Sequence, residues 1–184
     1  MLLTKIKPGS LLIAEPSVYG DLSFQRSVVM IANHDESGSI GFILNKPLSY
    51  TLSDIIPSIN SEFRIFNGGP VEQDSLYFVH NVPHLIANSI EIANGVYWGG
   101  DFNTVVELIE GNVIGEDNVK FFLGYSGWDK EQLSDEMQTN SWALSQVFDN
   151  IIAEPAIDCW RNHMIALGGE YMLWANAPEN PAHN

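Results

Sequence analysis

The sequence predicts a mixed α/β domain of the α+β class, and three observations support this prediction. Short apolar runs separated by glycine- and proline-containing breakers fill the first half, as expected for strands. Helix-like and strand-like segments alternate in the second half. The 184 residues are 45% apolar and 17% charged, which is typical of a globular protein that folds without disulfides or metals.

The composition also predicts the domain organisation. Neither an internal repeat nor a low-complexity linker divides the chain, so we predict one compact module over residues 1–175. Residues 176–184 include Pro178 and Pro181 but no large apolar side chain, and we therefore predict that they form a disordered tail.

Strands are predicted where apolar runs are bounded by turn residues. In the first half these runs are residues 11–14, 27–33, 40–45, 64–66, 76–80 and 89–93. The polar residues 34–39 include Gly38, so the second and third runs should form a hairpin with a longer loop. A short helix is expected at residues 51–56, where Pro57 ends it.

Two helices are predicted around a further strand in the second half. The first follows the candidate N-cap Asp101 and ends at Gly111. The strand covers residues 119–125, and the second helix then starts at Asp129, which approximates a capping box with Gln132.

A last helix is predicted with Pro155 in its first turn and Gly168 at its end. It contains the single cysteine, Cys159, which we interpret as a buried, inert thiol, since Arg161 is the only cation nearby in sequence. Its apolar face is expected to include Ile157, Trp160, Met164 and Leu167.

The charge balance bears on partners and location. Twenty-three acidic residues oppose eight basic ones, the formal net charge is −15, and the basic residues are scattered singly. Nucleic acid and anionic lipid would be repelled, whereas a basic protein would be attracted. No segment has the apolar core of a signal peptide or the roughly 20 apolar residues of a membrane span, so we expect a cytoplasmic protein.

The sequence predicts no metal ion and no cofactor. The single cysteine excludes an internal disulfide, and we take it to exclude a thiolate metal site as well. His80 and His84 flank Pro83, which prevents the helical spacing of two metal ligands. The His-Asp-Glu sequence at residues 34–36 is more typical of a solvated loop, and no phosphate-binding glycine motif is present.

The strongest catalytic signal is the sequence Gly-Tyr-Ser-Gly-Trp at residues 124–128. A hydrolase nucleophile elbow needs Gly-x-Ser-x-Gly, but Trp128 stands where the second glycine belongs. We therefore favour a tight strand-to-helix turn, with a hydrolase that uses Ser126 or His80 as the alternative.

Three other features have both a structural and a functional interpretation. The Asn-Gly-Gly-Pro sequence at residues 67–70 is typical of a turn, and close approach of a ligand to Gly69 is the alternative. Arg26 is expected to make an ion pair or to recognise a carboxylate or phosphate. Trp128 and Trp142 are interpreted as packing residues, with an interface hot spot as the alternative.

Four stretches in this order resemble one bacterial family. They are residues 9–14 (GSLLIA) leading into residues 24–29 (FQRSVV), residues 34–36 (HDE) before residues 41–47 (GFILNKP), residues 68–71 (GGPV) before a strand that ends at His80, and residues 123–128 (LGYSGW) followed by Gln132, Leu133, Glu136, Asn140 and Trp142. The likeness continues through Trp160 and Leu167-Gly168. The chain is similar to the YqgE/AlgH family, also called UPF0301 or DUF179.

The resemblance implies a bifurcated, partly barrel-like mixed sheet surrounded by helices. It carries over no catalytic residue, because the family is largely uncharacterised, although it bears a transcriptional-regulator label. The signature positions and the turn glycine give our candidate ligand- or partner-binding residues: Arg26, Asn45, Gly69, His80, Tyr125, Trp128, Gln132 and Glu136.

We therefore expect a non-enzymatic binding or regulatory protein that acts through a protein or small-molecule partner. A transcriptional regulator, which the charge opposes, and an unrecognised hydrolase are the alternatives. Candidate residues that line one exposed groove would favour binding, whereas full burial of all of them would oppose it.

Overall fold

A computed structural model describes residues 5–147 and 150–179, and it confirms the mixed α+β architecture. The strands are β1 (Ser10–Ala14), β2 (Val28–Asp35), β3 (Gly38–Ile43), β4 (Pro47–Thr51), β5 (Arg64–Asn67), β6 (Val71–His80), β7 (Ile90–Ala93), β8 (Val96–Trp98), β9 (Val119–Asp129) and β10 (Trp142–Gln146). The helices are α1 (Leu52–Ile55), α2 (Phe102–Glu110), α3 (Gln132–Gln138), α4 (Cys159–Leu167) and α5 (Tyr171–Ala175), and a 3-10 turn spans Pro16–Val18.

The ten strands form one sheet that branches at β9. Residues 126–129 of β9 pair with β3, whereas its earlier residues pair with β6 and, in parallel, with β5. The strand series β10-β1-β2-β3 is thereby joined to the series β6-β8-β7 through one strand. This is the bifurcated sheet that the family resemblance implies.

Helices pack on both faces of the sheet, which explains why the strands read as continuous apolar runs. All five residues of β1 are buried. Its residue Ile13 packs in the cluster that contains Trp160 of α4, whereas the neighbouring Leu12 packs in the cluster that contains Leu133 of α3. A third cluster joins α2 to the other branch of the sheet through Val105, Ile109, Phe78 and Phe121.

Two features predicted from local sequence signals are present, the N-cap of α2 and the β2–β3 hairpin. Asp101 caps α2 by accepting a hydrogen bond from the N–H of Thr104 at 3.1 Å, and Gly111 ends the helix. The β2–β3 hairpin is also present, but its turn is tighter than predicted, because the strands continue to Asp35 and from Gly38. The Asp35 carboxylate accepts the Ser37 N–H at 2.8 Å and so stabilises this short turn.

Several predictions for the second half are wrong. The Gly-Tyr-Ser-Gly-Trp sequence lies within β9 and is not a strand-to-helix turn. Helix α3 begins at Gln132 rather than Asp129, although the Gln132 side chain does accept the Asp129 N–H at 3.2 Å. Helix α4 begins at Cys159, so Pro155 precedes it, and Ile157 is 80% exposed instead of facing the core. The sequence analysis also missed β4, β8, β10 and α5.

Within the described residues, no helix has both the length and the apolar character that crossing a bilayer requires.

Candidate functional site

Arg26 has an unusual backbone conformation that Asn45 holds in place. Its φ of 54° lies in the left-handed region, which costs a non-glycine residue roughly 1–2 kcal/mol. The Asn45 side-chain N–H donates to the carbonyl of Arg26 at 2.9 Å, and its oxygen accepts the N–H of Val28, also at 2.9 Å. Two of the candidate residues thus form one structural unit at the start of β2.

The Arg26 side chain extends from this unit onto an aromatic surface. Its guanidinium carbon lies 4.6 Å from the centre of the Trp160 ring, which is close enough for a cation–π interaction. Trp160 is itself fixed, because its indole N–H donates to the carbonyl of Ala14 at 2.8 Å. The Nη2 group of Arg26 donates to the carbonyl of Ala177 at 2.6 Å, and its other N–H groups have no hydrogen-bond partner among the described residues.

A cavity of about 310 Å³ opens beside this guanidinium, and we call it the Arg26 cavity. Its volume lies at the lower end of the range of about 300–1,000 Å³ that is usual for ligand pockets. Its walls include aromatic and proline side chains together with several polar groups. The lining residues are Ala14, Glu15, Pro16, Tyr19, Gln25, Arg26, Trp160, Trp174, Ala177, Pro178 and Glu179.

Charged groups of both signs lie at this cavity. The ammonium of Lys46 donates to the carbonyl of Gln25 at 2.6 Å. Burial lowers the pKa of Lys46; the negative charge of Glu179 opposes this shift, and the positive charge of Arg26 adds to it. Burial also raises the pKa of Glu15, an effect that its hydrogen bond from Tyr171 reduces. Two of the eight basic residues therefore converge here, in a chain whose net charge is −15.

Part of the predicted tail forms one wall of the cavity. Residues 176–179 are described, and the carbonyl oxygens of Ala177 and Glu179 accept hydrogen bonds from Arg26 and Gln25. Residues 180–184 lie outside the described residues, so disorder stays a prediction there.

Trp128, Gln132 and Glu136 belong to a separate polar network on α3 and β9. One carboxylate oxygen of Glu136 accepts the indole N–H of Trp128 at 2.9 Å and that of Trp142 at 2.7 Å. Its other oxygen accepts the side-chain N–H of Gln132 at 3.1 Å. Both tryptophans are buried, and Phe24 packs against them. The packing interpretation of Trp128 and Trp142 therefore agrees with their positions.

Gly69 allows the β5–β6 connection to cross directly over β9. A Cβ atom at Gly69, whose φ is 151°, would lie 2.3 Å from the carbonyl carbon and oxygen of Tyr125. Gly124 makes the reciprocal approach, since a Cβ there would lie 2.6 Å from the carbonyl oxygen of Gly69. Close packing of two backbones accounts for these glycines without a ligand. Tyr125 is half-buried and makes an edge contact with Tyr77.

His80 and Ser126 are engaged in the core. His80 is fully buried, its Nε2 lies 3.0 Å from the carbonyl of Gly99, and its Nδ1 accepts the N–H of Val82 at 3.3 Å. These partners select the neutral tautomer protonated on Nε2, and burial lowers the pKa of the ring. The Ser126 hydroxyl is also fully buried and donates to the carbonyl of Gly68 at 3.0 Å. The hydrolase hypothesis has no support from this geometry.

The candidate residues therefore separate into distinct places, and only Arg26 lines the Arg26 cavity while Asn45 supports it. Sequence reasoning missed the aromatic walls, because Trp160 and Trp174 lie more than a hundred residues from Arg26 in the chain.

A second group of polar side chains was also missed. Cys159 is buried as predicted, and burial, together with the Glu154 carboxylate, raises the pKa of its thiol, so the thiol stays protonated. Its sulfur lies 3.5 Å from Glu154, which also contacts His163 at 3.0 Å. The cation near this thiol is Lys120 rather than Arg161, whose guanidinium donates to Asn176. Burial lowers the pKa of Lys120 to about 8.

Comparisons with known proteins identify the family to which this chain with a branched mixed sheet belongs. The family model described as AlgH-like, DUF179, matches residues 11–172. A UPF0301 protein of Cytophaga hutchinsonii is 37% identical over 186 residues and covers all of both chains. The UPF0301 protein Cpha266_0885 of Chlorobium phaeobacteroides is 37% identical over 182 residues, which are 98% of this chain and 97% of that protein. The chain therefore belongs to the AlgH-like, or UPF0301, family.

Solved structures share the fold. The crystal structure of protein DIP2367 from Corynebacterium diphtheriae has a TM-score of 0.77 at 22% identity and covers 96% of this chain and 95% of that one. The solution structure of the AlgH protein from Pseudomonas aeruginosa has a TM-score of 0.72 at 22% identity and covers 93% and 94%.

Proposed function

We propose that this chain is a non-enzymatic binding or regulatory protein whose ligand occupies the Arg26 cavity. The observation that carries the proposal is a guanidinium fixed beside an aromatic-walled cavity. Asn45 fixes the backbone of Arg26, and Trp160 fixes the plane over which its side chain lies. Binding groups that are already held in position lose little entropy when a ligand arrives.

The expected ligand combines an anionic group with an apolar or aromatic body. A guanidinium presents a planar set of donors that matches a carboxylate or a phosphate. The rings of Trp160 and Trp174 would then pack against the apolar body. A carboxylate would also compete with the carbonyl of Ala177 for Nη2, because it carries the opposite charge and can accept two parallel hydrogen bonds from a guanidinium.

The surface beside the cavity favours a protein over a small molecule as this ligand. On α5, Leu173 is 75% exposed and Met172 is 48% exposed, next to Trp174. Large apolar side chains that stay exposed next to a pocket are typical of sites that receive an anchor residue from a partner protein.

A pull-down from native cytosol with identification by mass spectrometry tests the proposal. We would compare the wild type with Arg26→Ala and with Arg64→Ala, an exposed arginine that matches the change of charge. Thermal denaturation establishes that each variant is folded. A partner that is retained by Arg64→Ala and lost with Arg26→Ala supports the proposal. A partner that folded Arg26→Ala retains in full contradicts it.

Small molecules are tested separately through ligand-dependent shifts in melting temperature with aromatic carboxylates and phosphates as probes. A shift that Arg26→Ala abolishes would assign the cavity to a small molecule. The transcriptional-regulator label gains no specific support from the site, and salt-sensitive binding of the pure protein to duplex DNA would be needed to revive it.

A further inference from the structure

The second polar group lies where α4 begins. Cys159 and His163 are four residues apart in α4, so their side chains lie on the same face of the helix one turn apart. Glu154 reaches the same place from the segment before the helix, and one ligand atom from each of the three residues lies within 4.8 Å of the others.

The distances match a tetrahedral metal site. Zinc lies about 2.3 Å from a thiolate sulfur and about 2.0–2.2 Å from imidazole nitrogen or carboxylate oxygen. Tetrahedral angles then place sulfur and oxygen roughly 3.6 Å apart, and nitrogen and oxygen roughly 3.4 Å apart. The structure has 3.5 Å between Cys159 Sγ and Glu154 Oε2, and 3.0 Å between His163 Nε2 and the same oxygen. Small side-chain adjustments would therefore open this triad around an ion.

We propose that Glu154, Cys159 and His163 form a binding site for a divalent transition metal ion of the zinc type. Thiolate, imidazole and carboxylate are the ligands from which zinc sites are built, and three protein ligands leave one coordination position open. Cys159 is 2% exposed and His163 is 6% exposed, so the site is shielded from bulk water on the helix side.

Of the three proposed ligands, Glu154 lines a polar cavity of about 230 Å³. Glu154 lines this cavity together with Phe66, Arg64 and Lys120, and the ammonium of Lys120 lies 4.2 Å from the centre of the Phe66 ring. The cavity provides the path by which an ion reaches Glu154. Since a thiolate and a carboxylate together neutralise a divalent ion, Lys120 remains as a positive charge that favours water or a small anion as the fourth ligand.

The binding step is balanced by the loss of one proton. The S–H of Cys159 and the Nε2–H of His163 both donate to Oε2 of Glu154. Coordination releases the thiol proton to solvent and moves the ring proton of a neutral His163 to Nδ1, so one proton leaves the protein for each ion bound. Buffers with different ionisation enthalpies would reveal that proton in a calorimetric titration.

Cobalt(II) is the most direct probe, used with the full-length chain free of a histidine tag and kept reduced with a phosphine. Cobalt bound to a thiolate gives a charge-transfer band in the near ultraviolet, and a tetrahedral site gives intense visible bands. Because Cys159 is the only cysteine of the chain, the charge-transfer band reports on this residue alone. We expect the bands to saturate at one equivalent and zinc to displace the cobalt.

Variants locate the other ligands. His163→Gln and Glu154→Gln should weaken binding roughly tenfold or more, because even changes to outer-shell partners cost about 10–100-fold in affinity. His84→Gln, which removes an exposed histidine far from the triad in sequence, should leave affinity unchanged. Zinc should also raise the melting temperature of the wild type.

Failure of the wild type to give a thiolate–cobalt band at saturating cobalt overturns the proposal whether or not any variant folds. The same conclusion follows if folded His163→Gln and Glu154→Gln bind cobalt as tightly as His84→Gln. A band in the wild type that both ligand variants weaken supports the site.

Discussion

The network around Glu136 permits a stability prediction that separates a structural from a functional role for the tryptophans. In Glu136→Ala, the buried indole N–H groups of Trp128 and Trp142 lose their common acceptor. Each buried donor left unpaired costs about 1–3 kcal/mol, so we expect a loss of about 2–6 kcal/mol in the free energy of unfolding for the two donors. Glu136→Gln keeps one acceptor oxygen for the two indoles and should lose only about 1 kcal/mol, since it removes charge assistance and the contact with the exposed Gln132 side chain.

Urea denaturation followed by tryptophan fluorescence measures this loss. A melting-temperature change of about 2–4 °C per kcal/mol is expected for a chain of this length. Asp135→Ala is the matched control, because Asp135 is exposed on the same helix and a change there should stay within about 0.5 kcal/mol. If Glu136→Ala loses no more stability than Asp135→Ala, the network does not hold the tryptophans, and their role as an interface hot spot becomes the better interpretation.

Three other changes test neighbouring parts of the fold. Gly69→Ala should lower the free energy of unfolding by more than about 3 kcal/mol or prevent folding, because its Cβ would lie 2.3 Å from the Tyr125 carbonyl. Gly95→Ala is the control: its φ is 79° but the space around it is open, so it should lose only about 1–2 kcal/mol. Asn45→Ala should lose about 2–3 kcal/mol in urea denaturation through its two hydrogen bonds, and a loss below 0.5 kcal/mol, within the usual range for surface changes, would contradict its clamping role. The folded-state pKa of His80 is lowered, so the unfolded chain binds more protons near the usual value of 6.5. Its contribution to stability should be complete above that pH and fall as the pH drops through the folded pKa, a dependence that should vanish in folded His80→Gln measured by urea denaturation across this range.

Local signals in the sequence were sufficient to predict many elements of the fold. The N-cap of α2 was predictable because Asp101 hydrogen-bonds a residue only three positions away. The β2–β3 hairpin was predictable from the polar residues and Gly38 between its strands, but its loop is shorter than predicted. The apolar strands of the first half were predictable because burial on both faces makes them continuous runs. The bifurcation followed from the family resemblance and not from any periodicity in the chain.

Features that depend on distant residues were not predictable in this way. Glycine at residues 124 and 127 suggested a turn, yet β9 continues because its pairing with β3 and β6 outweighs the local preference. Gly124 is needed there for a backbone crossing by residues 68–69, which are far away in sequence. Helix α4 begins later than Pro155 suggested, and this late start places Cys159 in its first turn, opposite Glu154.

Each candidate site likewise combines a feature that is visible in the local sequence with one that depends on distant residues. The four-residue spacing of Cys159 and His163 is present in the sequence but was missed, and the approach of Glu154 depends on a loop whose path no local pattern specifies. The sequence identified Arg26 as an isolated cation, but the aromatic ring beneath it, Trp160, comes from α4 near the other end of the chain.

The backbone strain at Arg26 supports the proposed ligand site. The polar groups of His80 and Glu136 are satisfied by the fold itself, so stability alone explains why these residues are where they are. Arg26 differs, because a left-handed backbone at a non-glycine residue is unfavourable and Asn45 is used to hold it. Glycine at this position would relieve the strain but remove the guanidinium. Backbone strain is often found at functional positions, and its presence here supports the proposal that a ligand uses this cation.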